Sequence, residues 1–549
     1  MNLLADFASY LRAALVKMIL FIGIAVVLAC LTSANGFARP AHKKNTRINV
    51  LFIAIDDLKP TIGIYGDRLA LTPNIDKLAL SGTVFRNSHC QQAVCAPSRA
   101  SLLTGLRPDK TQVWDLKTMM RDKNPDIVTL PQYYIEKGYE TAGTGKIFDP
   151  RSVDSKLDEP SWSVPYANVN GSRWIAATEK ISTEAGNVDD SELMDGQIAL
   201  KGIELMRQLS AGDKPFFLAV GFKKPHLPFV APQKYWDLHH RDDFSIHPFQ
   251  EHARNAPEFA FQPGWELRNA YVDIPKEGPI SEQKQKELIH GYYACVSFID
   301  EQVGKLMNEL DALGLRENTV VILWGDHGWH LGDHDMWAKH TNFEQSTRSP
   351  LIISAPNISG GKSSDSPVEF VDIFPTLCQL TGVEIPSDLD GLSLVPVMDD
   401  PKFSVKPFAI SQFHRTFSGQ KVEGYALRTK RYRYVEWIAA YKSYDPYSDE
   451  KIVARELYDY ETDPLETVSL VDSAEYKSVV EKLHGQLKNF LEDKASPVED
   501  SQGSLNSSES FDLAQNYPIR FNLETKIKYA SPVRGAIERR VCKPLISDQ

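Results

Sequence analysis

The chain has 549 residues, 42% of them hydrophobic and 24% charged, a balance ordinary for a soluble globular protein and long enough for more than one core. Its formal net charge of −11 excludes broad nucleic-acid binding and requires that an anionic substrate be held by a local cationic pocket. Six cysteines over this length do not make a disulfide framework.

Arg12 and Lys17 precede an apolar run, MILFIGIAVVLACL (Met18–Leu31), with small residues following near Ala34 and Ala38. This pattern reads as a signal peptide over residues 1–38. The run is shorter than the roughly 20 residues a membrane span needs. VVLAC, ending at Cys30, also fits a lipoprotein cleavage box, with a lipid anchor on Cys30. Either reading exports the protein to a periplasmic or extracellular space, with no integral span.

After a basic linker (His42–Arg47), INVLFIAIDD (Ile48–Asp57) is a nearly continuous apolar run ending in two carboxylates. It predicts a strand buried on both faces with its acids at the C-terminal edge. TPNIDKLALSG follows as a helix, with Thr72 as N-cap, Pro73 at the first helical position and Gly82 as terminator. KPFFLAVGF (Lys214–Phe222) and NTVVILWGDHG (Asn318–Gly328) repeat the strand pattern. Between them Ser281–Gly314 has helical periodicity and a glycine stop. Strands alternating with helices predict an α/β fold with a mostly parallel sheet, whose sites form beyond the C-terminal strand ends. Asp56, Asp57 and Asp326 fall at such ends.

From about Lys406 the texture changes. YALRTKRYRYVEWI (Tyr425–Ile438) alternates like antiparallel strands, and ELYDYETDPLETVSL resembles a loop leading to a final helix near Glu475–Leu491. The division is a catalytic α/β domain over 39–405, a smaller C-terminal α+β subdomain over 406–495, and a Ser-rich extension over 496–549 with no assigned structure.

The stretch QQAVCAPSRASLLTG (Gln91–Gly105) carries the sharpest question. Pro97 and Gly105 bracket a short helix, which places Cys95 at its positive end. Four fates compete for Cys95: a structural thiol, a bridge to Cys90, a thiolate nucleophile, or a chemically altered side chain. A phosphatase-type loop wants five residues between cysteine and arginine, and here three separate Cys95 from Arg99. A zinc site from His89, Cys90 and Cys95 lacks a fourth ligand.

CAPSRASLLTG resembles the sulfatase signature C-x-P-S-R-x-x-x-L-T-G, with every fixed position matched. FFLAVGFKKPHLPF, DHGWHLGDH and MWAKH follow in the same order and resemble the iduronate-2-sulfatase branch of that family. The resemblance runs from INVLFIAIDD to ELYDYETDP and implies an alkaline-phosphatase-like fold. It implies that Cys95 is oxidised to formylglycine by a formylglycine-generating enzyme. The hydrated aldehyde offers one hydroxyl to attack sulfur and a second to expel sulfate afterwards; a serine has no such exit. A hard divalent cation, calcium, is expected on Asp56, Asp57, Asp326, His327 and the altered Cys95. Many sulfatases carry asparagine where His327 stands.

By the same resemblance Arg99 stabilises the attacking oxygen, Lys146 (GKIFDP), His226 (KPHLPF) and Lys339 (WAKH) contact sulfate, and His226 or Lys339 protonates the leaving alcohol. One position departs from the pattern. Asp149 stands where the branch places a histidine, and is expected to point away, to bind a substrate amine or hydroxyl, or to bind a cation. His330 and His334 have i, i+4 spacing but no H-E-x-x-H, and Gly332 lies between them, so zinc is disfavoured. Trp329 is a candidate to line the substrate pocket, and Trp337 reads as packing. The expected activity is hydrolysis of sulfate esters on sulfated saccharides, with iduronate-2-sulfate-type ends leading. The alternatives are a phosphonate or phosphate ester hydrolase, and a silent glycan-binding protein in which Cys95 stays a thiol.

Overall fold

A computed structural model describes residues 47–439 and 447–495. The signal segment with Cys30, the extension over 496–549 and Cys542 lie outside the described residues.

The run after Arg47 carries no polar side chain from Val50 to Ile55, so neither face tolerates water. It forms β1 (Asn49–Ile55), buried at every residue. Six more strands join it: β2 (Thr83–Phe85), β3 (Glu140–Gly145), β4 (Phe216–Phe222), β5 (Thr319–Gly325), β6 (Leu351–Ser354) and β7 (Lys362–Ser364). Their order is β7-β2-β6-β5-β1-β4-β3, and only β6 runs against the rest. The sheet is therefore mostly parallel, as the alternating pattern predicts.

The helices that build the cores or border the strand ends are α1 (Pro73–Leu80), α2 (Cys95–Thr104), α3 (Met194–Ser210), α4 (Trp265–Ala270), α5 (Glu282–Ala312), α6 (Ile373–Thr381) and α7 (Lys477–Ala495). Strand side chains alternate between two apolar cores. Leu51, Ile53 and Ile55 pack with Ile198 of α3 and Leu288 of α5, whereas Val50, Phe52 and Ala54 pack with Ala100 of α2 and Phe374 of α6. Each large aliphatic side chain so buried contributes about 1.5–3 kcal/mol relative to exposure.

The C-terminal part forms a separate antiparallel sheet, β8 (Ala409–Phe417), β9 (Gln420–Arg428), β10 (Tyr432–Ala439) and β11 (Ile452–Asp459), in sequential order. One face packs on Leu483, Leu487 and Leu491 of α7, and the other on Met336 and Phe343 of the loop after β5.

Two local readings need correction. Thr72 makes no side-chain cap to α1; its hydroxyl accepts from the Gly63 amide at 2.9 Å instead. ELYD opens no loop but completes β11, because Leu457 and Tyr458 each fill one of the two cores flanking the small sheet.

Candidate active site

Parallel register brings the site together. Ile55 lies opposite both Phe222 and Gly325, so β1, β4 and β5 end at one level. Asp56–Asp57, Lys223 and Asp326 follow as the next residues. On the far side of β4, Gly145 lies opposite Gly221, and the Lys146 amide donates to the Gly221 carbonyl at 2.7 Å. A Cβ on Gly221 would stand 2.1 Å from the Lys146 carbonyl oxygen, and one on Gly145 would stand 2.0 Å from that of Gly221. Only glycine at both positions permits the approach that delivers Lys146. Asp57 turns the chain with a φ of 60°, a conformation that aspartate tolerates better than most residues.

Helix α2 is buried along its whole length and ends on Gly105 in the left-handed conformation, as its sequence predicts. Its polar side chains therefore need partners. Arg99, 0% exposed, donates to Asp326 and to Asp56, both at 2.9 Å, and to the Lys146 and Ile147 carbonyls at 2.5 and 3.1 Å. These bonds tie α2 to the ends of β1, β5 and β3. Arg99 holds the acids in place, and none of these bonds is directed at Cys95.

Cys95 is 1% exposed, with its Sγ 3.4 Å from His327 Nε2. Burial pushes its thiol pKa well up, against the pull of Lys146 and Lys339. A thiol so held is a poor thiolate nucleophile. Cys90 is buried and free as well, so no Cys90–Cys95 bridge forms. His89 donates or accepts toward Asn87 at 2.8 Å and takes no part in a cysteine cluster.

Two overlapping ligand sets meet at this point: Asp56, Asp57, Cys95 and His226, and Asp57, Cys95, Asp326 and His327, the ligand atoms of each lying within 4.8 Å of one another. His327 Nδ1 faces the Gly328 carbonyl at 3.0 Å and must donate to it, leaving the Nε2 lone pair directed into the cluster. Burial works against ionised Asp56, but Lys146 and Arg99 hold it charged. Asp57 is the opposite case. Burial raises its pKa well above the ordinary value, and Asp56, Glu266 and Asp326 add to this against Lys339. A buried carboxylate left under-compensated among acids, beside a bare imidazole nitrogen, fits a hard divalent cation.

The cationic side is equally defined. Lys146 Nζ donates to both Asp56 oxygens at 2.8 and 2.7 Å. Lys339 Nζ donates to Asp57 at 2.9 Å and to Glu266 at 3.1 Å. Burial opposes the Lys339 charge, yet Asp57 and Glu266 outweigh it and hold the amine protonated. His226 Nε2 lies 3.5 Å from Glu266 and 3.9 Å from Asp57. Burial, with Lys339 beside it, lowers its pKa to about 3. At neutral pH the proton therefore sits on Lys339 and not on His226.

Trp329 departs from its expected place, while the histidine pair and Asp149 fall within the expected alternatives. Trp329 is 1% exposed; its ring lies 4.8 Å beneath Lys339 Nζ and packs near His226 and Phe229, so it supports the pocket from below. His330 is engaged by Asp333 and Thr341, and the His334 ring packs on Phe343, so this pair gathers no ligand set. Asp149 does not point away: it receives Arg151 through two bonds of 2.8 Å and lies 3.7 Å from Lys146.

Glu266 on α4 and Arg151 are the residues that sequence reasoning misses. Glu266 comes from an irregular stretch with no motif, yet it contacts Lys339, His226 and His340, the last at 3.8 Å. Arg151 carries one signal, its position two residues after the anomalous Asp149.

Comparison with known proteins places this geometry. The sulfatase family model matches residues 48–383, and a second, described as N-sulphoglucosamine sulphohydrolase, C-terminal, matches residues 332–493. The chain is 31% identical to human iduronate 2-sulfatase over 529 residues, covering 82% of this chain and 96% of the relative. It is 32% identical to a sulfatase of Formosa agariphila, covering 85% and 91%. Among solved structures, one in complex with its substrate D-glucosamine-2-N,6-O-disulfate aligns with a TM-score of 0.64 at 21% identity, covering 82% of this chain and 98% of that one. The phosphonate monoester hydrolase of Agrobacterium radiobacter aligns at 0.66 and 22%, covering 82% and 96%. The fold is thus of the alkaline-phosphatase-like kind, and the chain belongs to the sulfatase family of sulfuric ester hydrolases.

Proposed function

We propose that the protein removes sulfate esters from sulfated saccharides, with iduronate-2-sulfate-type ends the leading substrate, after oxidation of Cys95 to formylglycine by a modifying enzyme. The single observation that carries this reading is the placement of Cys95. It is buried, disfavoured as a thiolate, and set at the meeting point of three acids, a bare histidine nitrogen and two lysines. The aldehyde supplies a hydrated pair of hydroxyls, one to attack sulfur and one to release sulfate. Asp56, Asp57, Asp326 and His327 would hold the divalent cation, proposed as calcium, which would polarise the sulfate oxygens.

The chain's own residues do the rest. Lys146 and Lys339 flank the acids and can each donate to a sulfate oxygen. Lys339, kept protonated by Asp57 and Glu266, is placed to give the proton to the departing alcohol, with neutral His226 as a hydrogen-bonding partner. Arg99 fixes Asp56 and Asp326 and so keeps the ligands preorganised.

Export by the segment over 1–38, with or without a lipid anchor on Cys30, belongs to the same proposal, as does the division at about residue 406. Among the described residues no helix is long and apolar enough to cross a membrane. Similarity in fold to a phosphonate monoester hydrolase favours phosphonate esters as the second reading. Sulfate release from a panel of defined sulfated saccharides, run beside a phosphonate ester, tests the choice: faster phosphonate turnover overturns it.

A further inference from the structure

The cleft that opens on the site has a volume of about 610 Å³, within the range of roughly 300–1,000 Å³ usual for ligand pockets. Asp56, Lys146 and His226 line it, together with Arg151, Arg173 and Lys223. The lining acids are already committed: Asp56 to Arg99 and Lys146, Asp149 to Arg151, and Asp195 to the backbone amides of Lys223 and Lys224. Lys224 is committed too, its ammonium bonded to the His226 and Pro228 carbonyls.

Arg151 differs from these. Its side chain is 52% exposed, while the carboxylate that grips it is 0% exposed. Asp149 takes Nε and one Nη2 hydrogen, and also the Arg151 backbone amide at 3.1 Å. A guanidinium has five N–H donors in a rigid plane, so this clasp leaves the Nη1–Nη2 edge, with two parallel donors, not occupied by Asp149. That edge matches the paired oxygens of a carboxylate or a sulfate. Asp149 also stands 3.7 Å from Lys146, so one buried carboxylate bridges the sulfate lysine and the exposed arginine.

We propose that Arg151, clasped by Asp149, is a second anion subsite that selects sugars carrying another anionic group, carboxylate or sulfate, beside the scissile sulfate. Asp149 then has a positioning role: it orients the fork and balances one of two neighbouring cations. This explains how an acid is tolerated next to a sulfate pocket. The inference rests on the sulfatase reading for which sulfate is cleaved, but its test does not require cleavage.

Ligand affinity is measured by calorimetry on the full chain carrying Cys95→Ala, with a uronate 2-sulfate, its carboxyl methyl ester and a hexosamine disulfate. The acid is expected to bind at least about tenfold more tightly than its ester, in keeping with one charge-assisted bidentate contact. Arg151→Ala, and Arg151→Gln as a variant that still donates to Asp149, should each reduce that ratio to within about twofold of unity. A parallel fall for the disulfate alone assigns the subsite to a second sulfate, and a fall for the acid assigns it to a carboxylate. Affinities for both the acid and the disulfate that survive both substitutions overturn the proposal. Failure of the sulfatase reading would appear separately, as no sulfate release by the unsubstituted protein despite preserved anion discrimination.

Discussion

Lys339 Nζ lies 2.9 Å from one Asp57 oxygen and 3.1 Å from the other, joining the residue that bears the site's proton to the acid most in need of a cation. The pair is buried, and the Lys339 ammonium lies over the Trp329 ring. Because Asp57 is also a proposed cation ligand, the proposed proton donor and the cation would share one carboxylate, which would couple leaving-group protonation to cation binding.

Lys339→Ala should reduce kcat by about 10²–10⁴-fold on saccharide sulfates, whose alcohol leaves poorly without a proton. On an aryl sulfate, whose phenolate leaves unaided, the loss should be at least tenfold smaller by the same principle. Steady-state rates on both substrate types check this; equal losses would remove Lys339 from the acid role.

Chelation should abolish activity, and calcium should restore it. Asp326→Asn should weaken cation affinity by about 10–100-fold or more, since an Asp326 oxygen also accepts the Asp57 amide at 2.9 Å and so orients its fellow ligand. Calcium titration of the chelated protein measures both effects. Restoration by zinc alone would contradict the oxygen-rich assignment.

Arg99→Ala leaves buried Asp326 without its cationic partner and Asp56 with Lys146 alone, and should destabilise the chelated protein by about 3–5 kcal/mol, the usual result of removing one partner from a buried pair. Urea unfolding reads the change. A loss below about 1 kcal/mol, the scale of exposed pairs, would show that the acids do not depend on it.

Away from the site, Glu369 receives Arg107 at 2.6 Å and Lys406 at 2.7 Å. Burial disfavours its charge, but Arg107 and Lys406 lower its pKa to about 2 from an ordinary 4.5. A lowered folded-state pKa stabilises the protein above the unfolded value and loses that contribution as pH falls through the folded one. Glu369→Gln should therefore cost most above pH 5, with the difference from the parent shrinking between about pH 4.5 and 2. Denaturation midpoints across that window check the sign; a pH-independent difference would contradict it.

Legibility in the chain differs from one feature to the next, according to what each depends on. The ends of β1 and β5 could be read because Asp56–Asp57 and Asp326 follow uninterrupted apolar runs, and parallel pairing puts such ends at one level. Helix α2 could be read from Pro97 and Gly105. Arg99 lies within electrostatic reach of Cys95 as expected, and its four donated bonds also reach three strand ends that only the folded sheet brings together. Glu266 could not be read, since α4 is a helix of only six residues whose approach to Lys339 depends on a contact 73 residues apart. Trp329 next to the DHG turn looked like a pocket wall; its neighbours His226, Phe229 and Lys339 bury it completely. Asp149 was visible as an anomaly, whereas its clasp on Arg151 needed the side chains in place.

The central claim is that the working group at position 95 is no longer a thiol. Mass spectrometry of the peptide containing Cys95, from protein that releases sulfate, tests it most directly. Conversion of thiol to aldehyde lowers the peptide mass by about 18 Da. The lighter species is expected to be present, and its fraction to track specific activity across preparations. A fully active preparation holding only the unmodified cysteine would contradict the claim.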